Sequence, residues 1–208
     1  MKNFAYAELP PEKTAFSEQV IKYNRLDEAG FEEWLFYPGM IFGSTEKWWG
    51  DFGTRPTPHE GIDLCLFRNQ NSSVLQLDGT SKIPVTYNGE IVKIDKDFLG
   101  KSLYIRHDIF DSAGRQFYTI YGHTEPVSDA APGTRVKAGD IVASISEAKK
   151  IKIFSHLHIS MAWIPASCSA ENLNWVTLAD PEKVTLLNPL NIIGCKYSIY
   201  RNSCKNKS

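Results

Sequence analysis

The sequence predicts a mainly β protein built on an antiparallel sheet, with a short helical segment at its N-terminus. Three observations carry that expectation. From Tyr37 onward short segments alternate apolar and polar residues, Gly, Pro, Asn and Asp punctuate them, and helical periodicity is nearly absent after residue 40.

The chain of 208 residues suits one domain of ordinary size with a small appendage, and it can bury a core without disulfide staples. A formal charge of -1 removes any broad electrostatic case for nucleic acid or an anionic membrane as the main partner. No apolar run reaches the roughly 18 residues of a membrane span, so no transmembrane segment is expected. The opening stretch, "MKNFAYAELPPEKTAF", lacks the apolar length of a secretory signal. Location is therefore left open between the cytoplasm and, if a signal has been removed, the cell envelope or the extracellular space.

Taken in order, residues 16 to 35 place Phe16, Val20, Leu26, Phe31, Trp34 and Leu35 at loosely helical intervals, with Ser17 as a possible cap. Gly30 interrupts them, which predicts one broken helix or two short ones. Strands are expected at 62 to 66, 83 to 88, 90 to 94, 102 to 107, 117 to 123, 140 to 146 and 157 to 163. Asn88-Gly89 in "YNGE" predicts a tight hairpin turn, because both residues tolerate positive φ. "SAGR" at 112 to 115 and "APGT" at 131 to 134 predict two further turns. The stretch 164 to 186 has no clean period and reads as a long excursion, and the basic, polar residues after 195 as a loosely held tail. The expected organisation is a helical extension over 1-36, a β domain over 37-193 containing the excursion, and a tail over 194-208. Four cysteines, Cys65, Cys168, Cys195 and Cys204, form no C-x-x-C pair. Cys195 and Cys204 could bridge near the tail, with free thiols the equal alternative.

The chemistry concentrates in five histidines: His59, His107, His123, His156 and His158. In "SHLHIS", His156, His158 and Ser160 alternate with Leu157, Ile159 and Met161. Residues two apart on a strand share a face, so both imidazoles point one way while the apolar set enters the core. Taken alone, such a pair is as readily two chance histidines on a surface strand. In "RPTPHEGIDL", His59 and Asp63 lie four apart around Gly61. Pro56, Pro58 and Gly61 oppose a helix there, and with it a zincin-type helix in which Glu60 would be the base. Together the two motifs offer His59, Asp63 and one histidine of the pair, the three-ligand layout of a catalytic zinc site with a position left for water. Cys65 alternates with Asp63 onto the same strand face, and a buried thiol is its plainer use. Trp48 and Trp49 are candidates either for a substrate wall or for the core.

The ordered series "FGTRPTPHEGIDL", "NGEIVKI", "SLYIRH", "YGH", "GTRVKAGDIVA", "SHLHIS" and "NPL" resembles the lysostaphin-like, LytM-type zinc endopeptidases of peptidase family M23, over roughly Trp34 to Ile193. The resemblance implies an antiparallel β-sheet forming the floor of a groove, and one Zn2+ held by His59, Asp63 and His158. It implies His123 and His156 as catalytic histidines, and peptidoglycan stem or cross-bridge peptides as the partner that is cut by metal-activated water. His107 would be structural or a neighbour of the site. Tyr121 lies two residues from His123 on the same predicted strand face and either lines the groove as a substrate contact or simply packs. Oligomeric state is not legible. Two rival classes are an inactive relative that binds peptidoglycan or a hydrolase, and a lipoyl or biotinyl carrier modified on Lys96. The first would have lost ligands that this chain keeps, and the second explains none of the paired histidines.

Overall fold

The computed structural model describes residues 7–148 and 153–200. One helix, α1 (Phe16–Tyr23), precedes strands β1 (Phe31–Phe36), β2 (Ile62–Leu64), β3 (Leu66–Asn69), β4 (Val74–Gln76), β5 (Lys82–Pro84), β6 (Gly89–Lys96) and β7 (Lys101–Phe110). Then follow β8 (Arg115–Pro126), β9 (Arg135–Val136), β10 (Ile141–Ile145), β11 (Leu157–Pro165), a one-turn helix α2 (Trp175–Leu178), β12 (Thr185–Leu187) and β13 (Tyr197–Ile199). The large sheet runs β12-β11-β8-β7-β6-β9, with β2 on β11 and the β10-β5 pair on β8. The small sheet runs β13-β1-β3-β4. All pairings in the large sheet are antiparallel, as the alternation predicts.

The central strands are apolar on both faces, so the large sheet is covered twice. One face carries Leu103, Ile105, Phe117, Tyr121, Leu157, Ile159 and Met161 into the main core with Trp34, Phe36 and Phe67 of the small sheet. The other carries Tyr104, Tyr118, Ile120, Ala162 and Ile164, and the 164 to 186 excursion covers it with Leu173, Leu178 and Val184. Lys93 on β6 donates to the carbonyls of Glu171 (3.1 Å) and Leu173 (2.6 Å), pinning the excursion to the sheet.

Several expectations are corrected. Phe31–Phe36 is a strand and not the second half of a helix: its Glu-rich "FEEWLF" has helical spacing, but pairing with β3 and β13 on either side outweighs that local preference. Tyr197–Ile199, expected as tail, is β13 and lies parallel to β1. Asn88-Gly89 is no hairpin turn, since β5 pairs with β10 while β6 pairs with β7 and β9. A Cβ at Gly89 would lie 2.3 Å from the Arg106 carbonyl oxygen, so close strand packing demands the glycine. The turns at Gly114 (φ 75°) and Gly133 (φ 90°) are present. The run 62 to 66 is not one strand: the chain leaves the large sheet after Leu64 and enters the small sheet at Leu66. Cys65 sits at that switch with its thiol in the main core, so alternation from Asp63 does not carry it to the same face. Burial pushes the Cys65 thiol well above its usual range. Cys195 is a free thiol, raised by burial to about 11, and Cys204 lies outside the described residues.

His107 is fully buried in the main core, where Nδ1 donates to the Asn88 carbonyl (3.1 Å) and Nε2 meets Thr119 Oγ1 (2.9 Å). Burial lowers its pKa from 6.5 to about 4. Between those values the unfolded chain binds a proton that the folded chain refuses, so stability is full above about pH 6.5 and erodes as pH falls towards 4, by about 3 kcal/mol in all. Unfolding free energies in urea at pH 7 and pH 4.5 should converge in His107→Gln relative to the parent. An unchanged pH difference would refute this assignment.

Candidate functional site

The site is assembled where β2, β11 and β8 lie side by side. Asp63 on β2 is the register partner of His158 on β11, and His158 is in turn the partner of Gly122 on β8. All three therefore share the face opposite the main core. His59 arrives from the loop before β2, held by its own backbone: its N–H donates to the Ser44 carbonyl and its carbonyl accepts from Gly43 N–H, both at 2.9 Å. A Cβ at Gly61 would fall 2.1 Å from the Ile159 carbonyl oxygen, so only glycine lets the chain pass from His59 to Asp63 against β11.

His59 Nε2, Asp63 Oδ1 and His158 Nδ1 converge. The separations are 3.2 Å for His59–Asp63, 3.0 Å for His158–Asp63 and 3.1 Å between the two nitrogens. Four-coordinate zinc with ligand bonds of ~2.0–2.1 Å places ligand atoms about 3.3 Å apart, so the spacing fits such an ion closely. The remaining polar atoms of the three residues are already engaged. His59 Nδ1 faces the Ile41 carbonyl (3.2 Å) and must carry the proton, which leaves a lone pair on Nε2. His158 Nε2 meets Ser160 Oγ (2.8 Å). Asp63 Oδ2 accepts from Trp48 Nε1 (2.6 Å) and lies 3.5 Å from Arg55 Nη2. Burial would raise the Asp63 carboxyl, yet His59, His156 and His158 together hold it well below the usual range. Burial lowers His158 to about 4, against the pull of Asp63.

Two more imidazoles border the cluster. His156 is buried, its Nδ1 donates to the Phe154 carbonyl (2.8 Å), and its Nε2 lies 3.8 Å from Asp63 Oδ1. Burial lowers its pKa, so it is neutral near pH 7. His123 lies with its ring centroid 4.8 Å from that of His156 and 6.0 Å from that of His158. Its φ of 63° is left-handed, uncommon for a residue other than glycine. Its backbone N–H donates to Asp97 Oδ2 (2.7 Å), and Nδ1 lies 3.2 Å from Asp97 Oδ1, off the line of a good hydrogen bond. Burial would raise Asp97, but its contacts with His123 and Ser102 hold it far below the usual carboxylate range.

The structure thus brings together all five residues that the sequence nominates for metal binding and catalysis, and it separates two others. Tyr121 pairs with Ile159, is fully buried in the main core, stacks on Phe16 and accepts from Thr86 N–H through its hydroxyl (3.0 Å). Of the two readings of Tyr121, packing holds and the groove-lining one is corrected: strand alternation puts Tyr121 and His158 on opposite faces, and only the left-handed turn at His123 brings that histidine back to the site. Glu60 is half-buried and supplies no atom to the ligand cluster. Three further side chains stand at the site: Trp48, which the sequence offers for a substrate wall or for the core, and two that no sequence pattern marks, Trp175 and Asp97. Trp48 both donates to Asp63 and meets the His156 ring edge-on (5.0 Å), and Trp175 of α2 meets the His158 ring at 4.9 Å and 89°. Asp97, the third, reaches His123 across 26 residues.

A model of Peptidase family M23 matches residues 57–170, more than half of the chain and inclusive of all five site residues. The chain belongs to Peptidase family M23. No curated protein matches this M23 chain. Among solved structures it is similar to LytU, at 22% identity over 74% of this chain and 81% of that one, with a TM-score of 0.48. It is similar also to lysostaphin in solution, at 14% identity over 95% of this chain and 62% of that one, TM-score 0.48. A LytM-type protein described as a putative glycyl-glycine endopeptidase from Ruminococcus gnavus gives 17% identity over 69% of this chain and 51% of that one, TM-score 0.41. Among the described residues of this M23 peptidase, no helix is long and apolar enough to cross a membrane.

Proposed function

We propose that this M23 peptidase is a zinc-dependent endopeptidase that hydrolyses peptide bonds in the stem or cross-bridge peptides of peptidoglycan, and that it works in the cell envelope where that substrate lies. One observation carries the reading: three lone-pair atoms converge at zinc-ligand spacing, and the other polar atoms of the same residues are already taken. His59 through Nε2, Asp63 through Oδ1 and His158 through Nδ1 would hold one Zn2+. When bound, zinc supplies Lewis-acid polarisation of the scissile carbonyl and brings the pKa of a bound water towards ~7.

The remaining steps belong to the chain. His156 has its Nδ1 proton committed to Phe154, so its Nε2 lone pair faces the cluster and is free to accept a proton from the attacking water. The same nitrogen returns that proton to the departing amine. His123, with Nδ1 turned towards Asp97, leaves Nε2 on the far side of its ring, and an N–H there would donate to the carbonyl oxygen as negative charge develops. Trp48 and Arg55 fix Asp63 by Oδ2 so that Oδ1 stays aimed at the ion. Trp175 and Trp48 wall the imidazoles and exclude water from their flanks.

The test is digestion of purified peptidoglycan of several bridge types, with and without chelator, followed by mass analysis of the fragments. New amino termini at one peptide linkage, lost on chelation and restored by zinc, are expected. A protein that carries stoichiometric zinc and leaves every peptidoglycan intact would end the proposal. Trp48→Phe keeps an aromatic side chain but removes the indole N–H that donates to Asp63, and zinc affinity should fall about 10- to 100-fold in competition with a chromogenic chelator. Parent-like affinity would show that Asp63 needs no such support.

A further inference from the structure

We infer that Asp97 is a positioning residue for His123, holding it in the backbone conformation that turns its ring into the site. The inference rests on the peptidase reading for its consequence in catalysis, though not for its geometry. Asp97 opens the tight turn between β6 and β7, and half of its carboxylate does what an aspartate at such a place ordinarily does. Oδ1 accepts from Leu99 N–H (3.0 Å) and Gly100 N–H (2.7 Å), closing the turn.

The other oxygen points away from that turn. Oδ2 accepts from Ser102 Oγ on β7 (2.7 Å) and from the backbone N–H of His123 on β8 (2.7 Å). Those two strands are out of step here. Lys101 pairs with Thr124 and Leu103 with Tyr121, so one residue on β7, Ser102, faces two on β8, Gly122 and His123. Such a bulge leaves an amide without a ladder partner and re-aims a side chain. In this chain the stray amide is that of His123, and the re-aimed side chain is its imidazole, which regular alternation would have sent into the core beside Tyr121. Asp97 takes the amide, and Ser102, fully buried opposite the bulge, braces the carboxylate. The same carboxylate stands 3.2 Å from His123 Nδ1 and limits rotation of the ring. A loop cap alone would need none of these three contacts.

The experiment compares Asp97→Asn, Asp97→Ala and Ser102→Ala in two backgrounds, the parent and His123→Ala, using zinc-loaded protein and peptidoglycan. In the parent background Asp97→Asn should lower kcat about tenfold or more, with KM within about twofold and zinc content unchanged; Ser102→Ala should do the same more weakly. In the His123→Ala background the Asp97 substitutions should cost nothing further, because the side chain they position is gone. Equal losses in both backgrounds would reduce Asp97 to a turn cap and overturn the inference. A second readout uses zinc-free protein and no substrate: the His123 amide should exchange slowly with solvent deuterium in the parent and fast in Asp97→Ala. Unchanged protection would overturn the inference as well. If the parent enzyme shows no turnover on any peptidoglycan, the peptidase reading fails, and the exchange measurement still decides the role of Asp97.

Discussion

His158→Ala is expected to abolish both zinc binding and peptidoglycan cleavage, the largest single effect available in this chain. His158 sits at the centre of the ligand cluster, 3.0 Å from Asp63 Oδ1 and 3.1 Å from His59 Nε2, and no other described histidine can take its place. His156 is the nearest candidate, yet its Nε2 lies 3.8 Å from Asp63 and its ring is tied to the Phe154 carbonyl. Removing the imidazole leaves one histidine and one carboxylate, too few to hold zinc in a site that keeps a position open for water. Metal analysis should find the variant empty at zinc concentrations that saturate the parent, with digestion at background. A His158→Ala protein that retains one zinc per chain and cuts at the parental rate would remove His158 from the ligand set. Fold loss is a separate matter, because β11 is held by both β8 and β2 through its backbone, and circular dichroism of the variant should keep the β signature.

His123→Ala should behave in the opposite way with respect to the metal. Its ring is 6.0 Å from that of His158 and supplies no atom to the ligand cluster, so zinc content should match the parent. Turnover should fall about 10²- to 10³-fold, the usual cost of losing one donor to a developing oxyanion, with the loss in kcat. His156→Ala should also retain zinc and lose most turnover, since it takes away the Nε2 that accepts the water proton. Measured together, metal content and kcat therefore divide the five residues into two groups. Near-parental digestion by both His123→Ala and His156→Ala would dismiss the catalytic assignment while leaving the ligand cluster standing.

The motifs that were legible in the sequence are those whose geometry is local. His156, His158 and Ser160 share a face because a strand alternates, and His59 with Asp63 brackets a glycine that the backbone of β11 requires. The turn glycines Gly114 and Gly133 were readable for the same reason. What escaped the sequence depends on contacts between distant segments. "FEEWLF" has helical spacing and becomes a strand only because β3 and β13 flank it. Counting two residues back from His123 puts Tyr121 on the same face as that histidine, and the bulge at Gly122 and His123 defeats the count. Asp97 reaches the site from the β6-β7 turn and Trp175 from the one-turn helix α2, and no spacing rule marks either for such a task; Trp48 is legible as a wall or core residue, but its bond to Asp63 is not. Asn88-Gly89 shows the reverse failure: a pair with strong turn chemistry is used for close packing against β7.

The passage of one chain segment between the two sheets at Cys65 has a mechanical meaning for this site. Asp63 lies two residues before the crossing and belongs to the large sheet, while Leu66 just after it is clamped between β1 and β4 in the small one. The two sheets therefore cannot slide past each other without dragging Asp63 off its register with His158. Shear between layers, a common way for packed elements to open a cleft, is closed to this molecule. Any opening around the site is left to segments outside the paired strands, such as those carrying Trp48 and Phe98 and the one-turn helix α2 with Trp175.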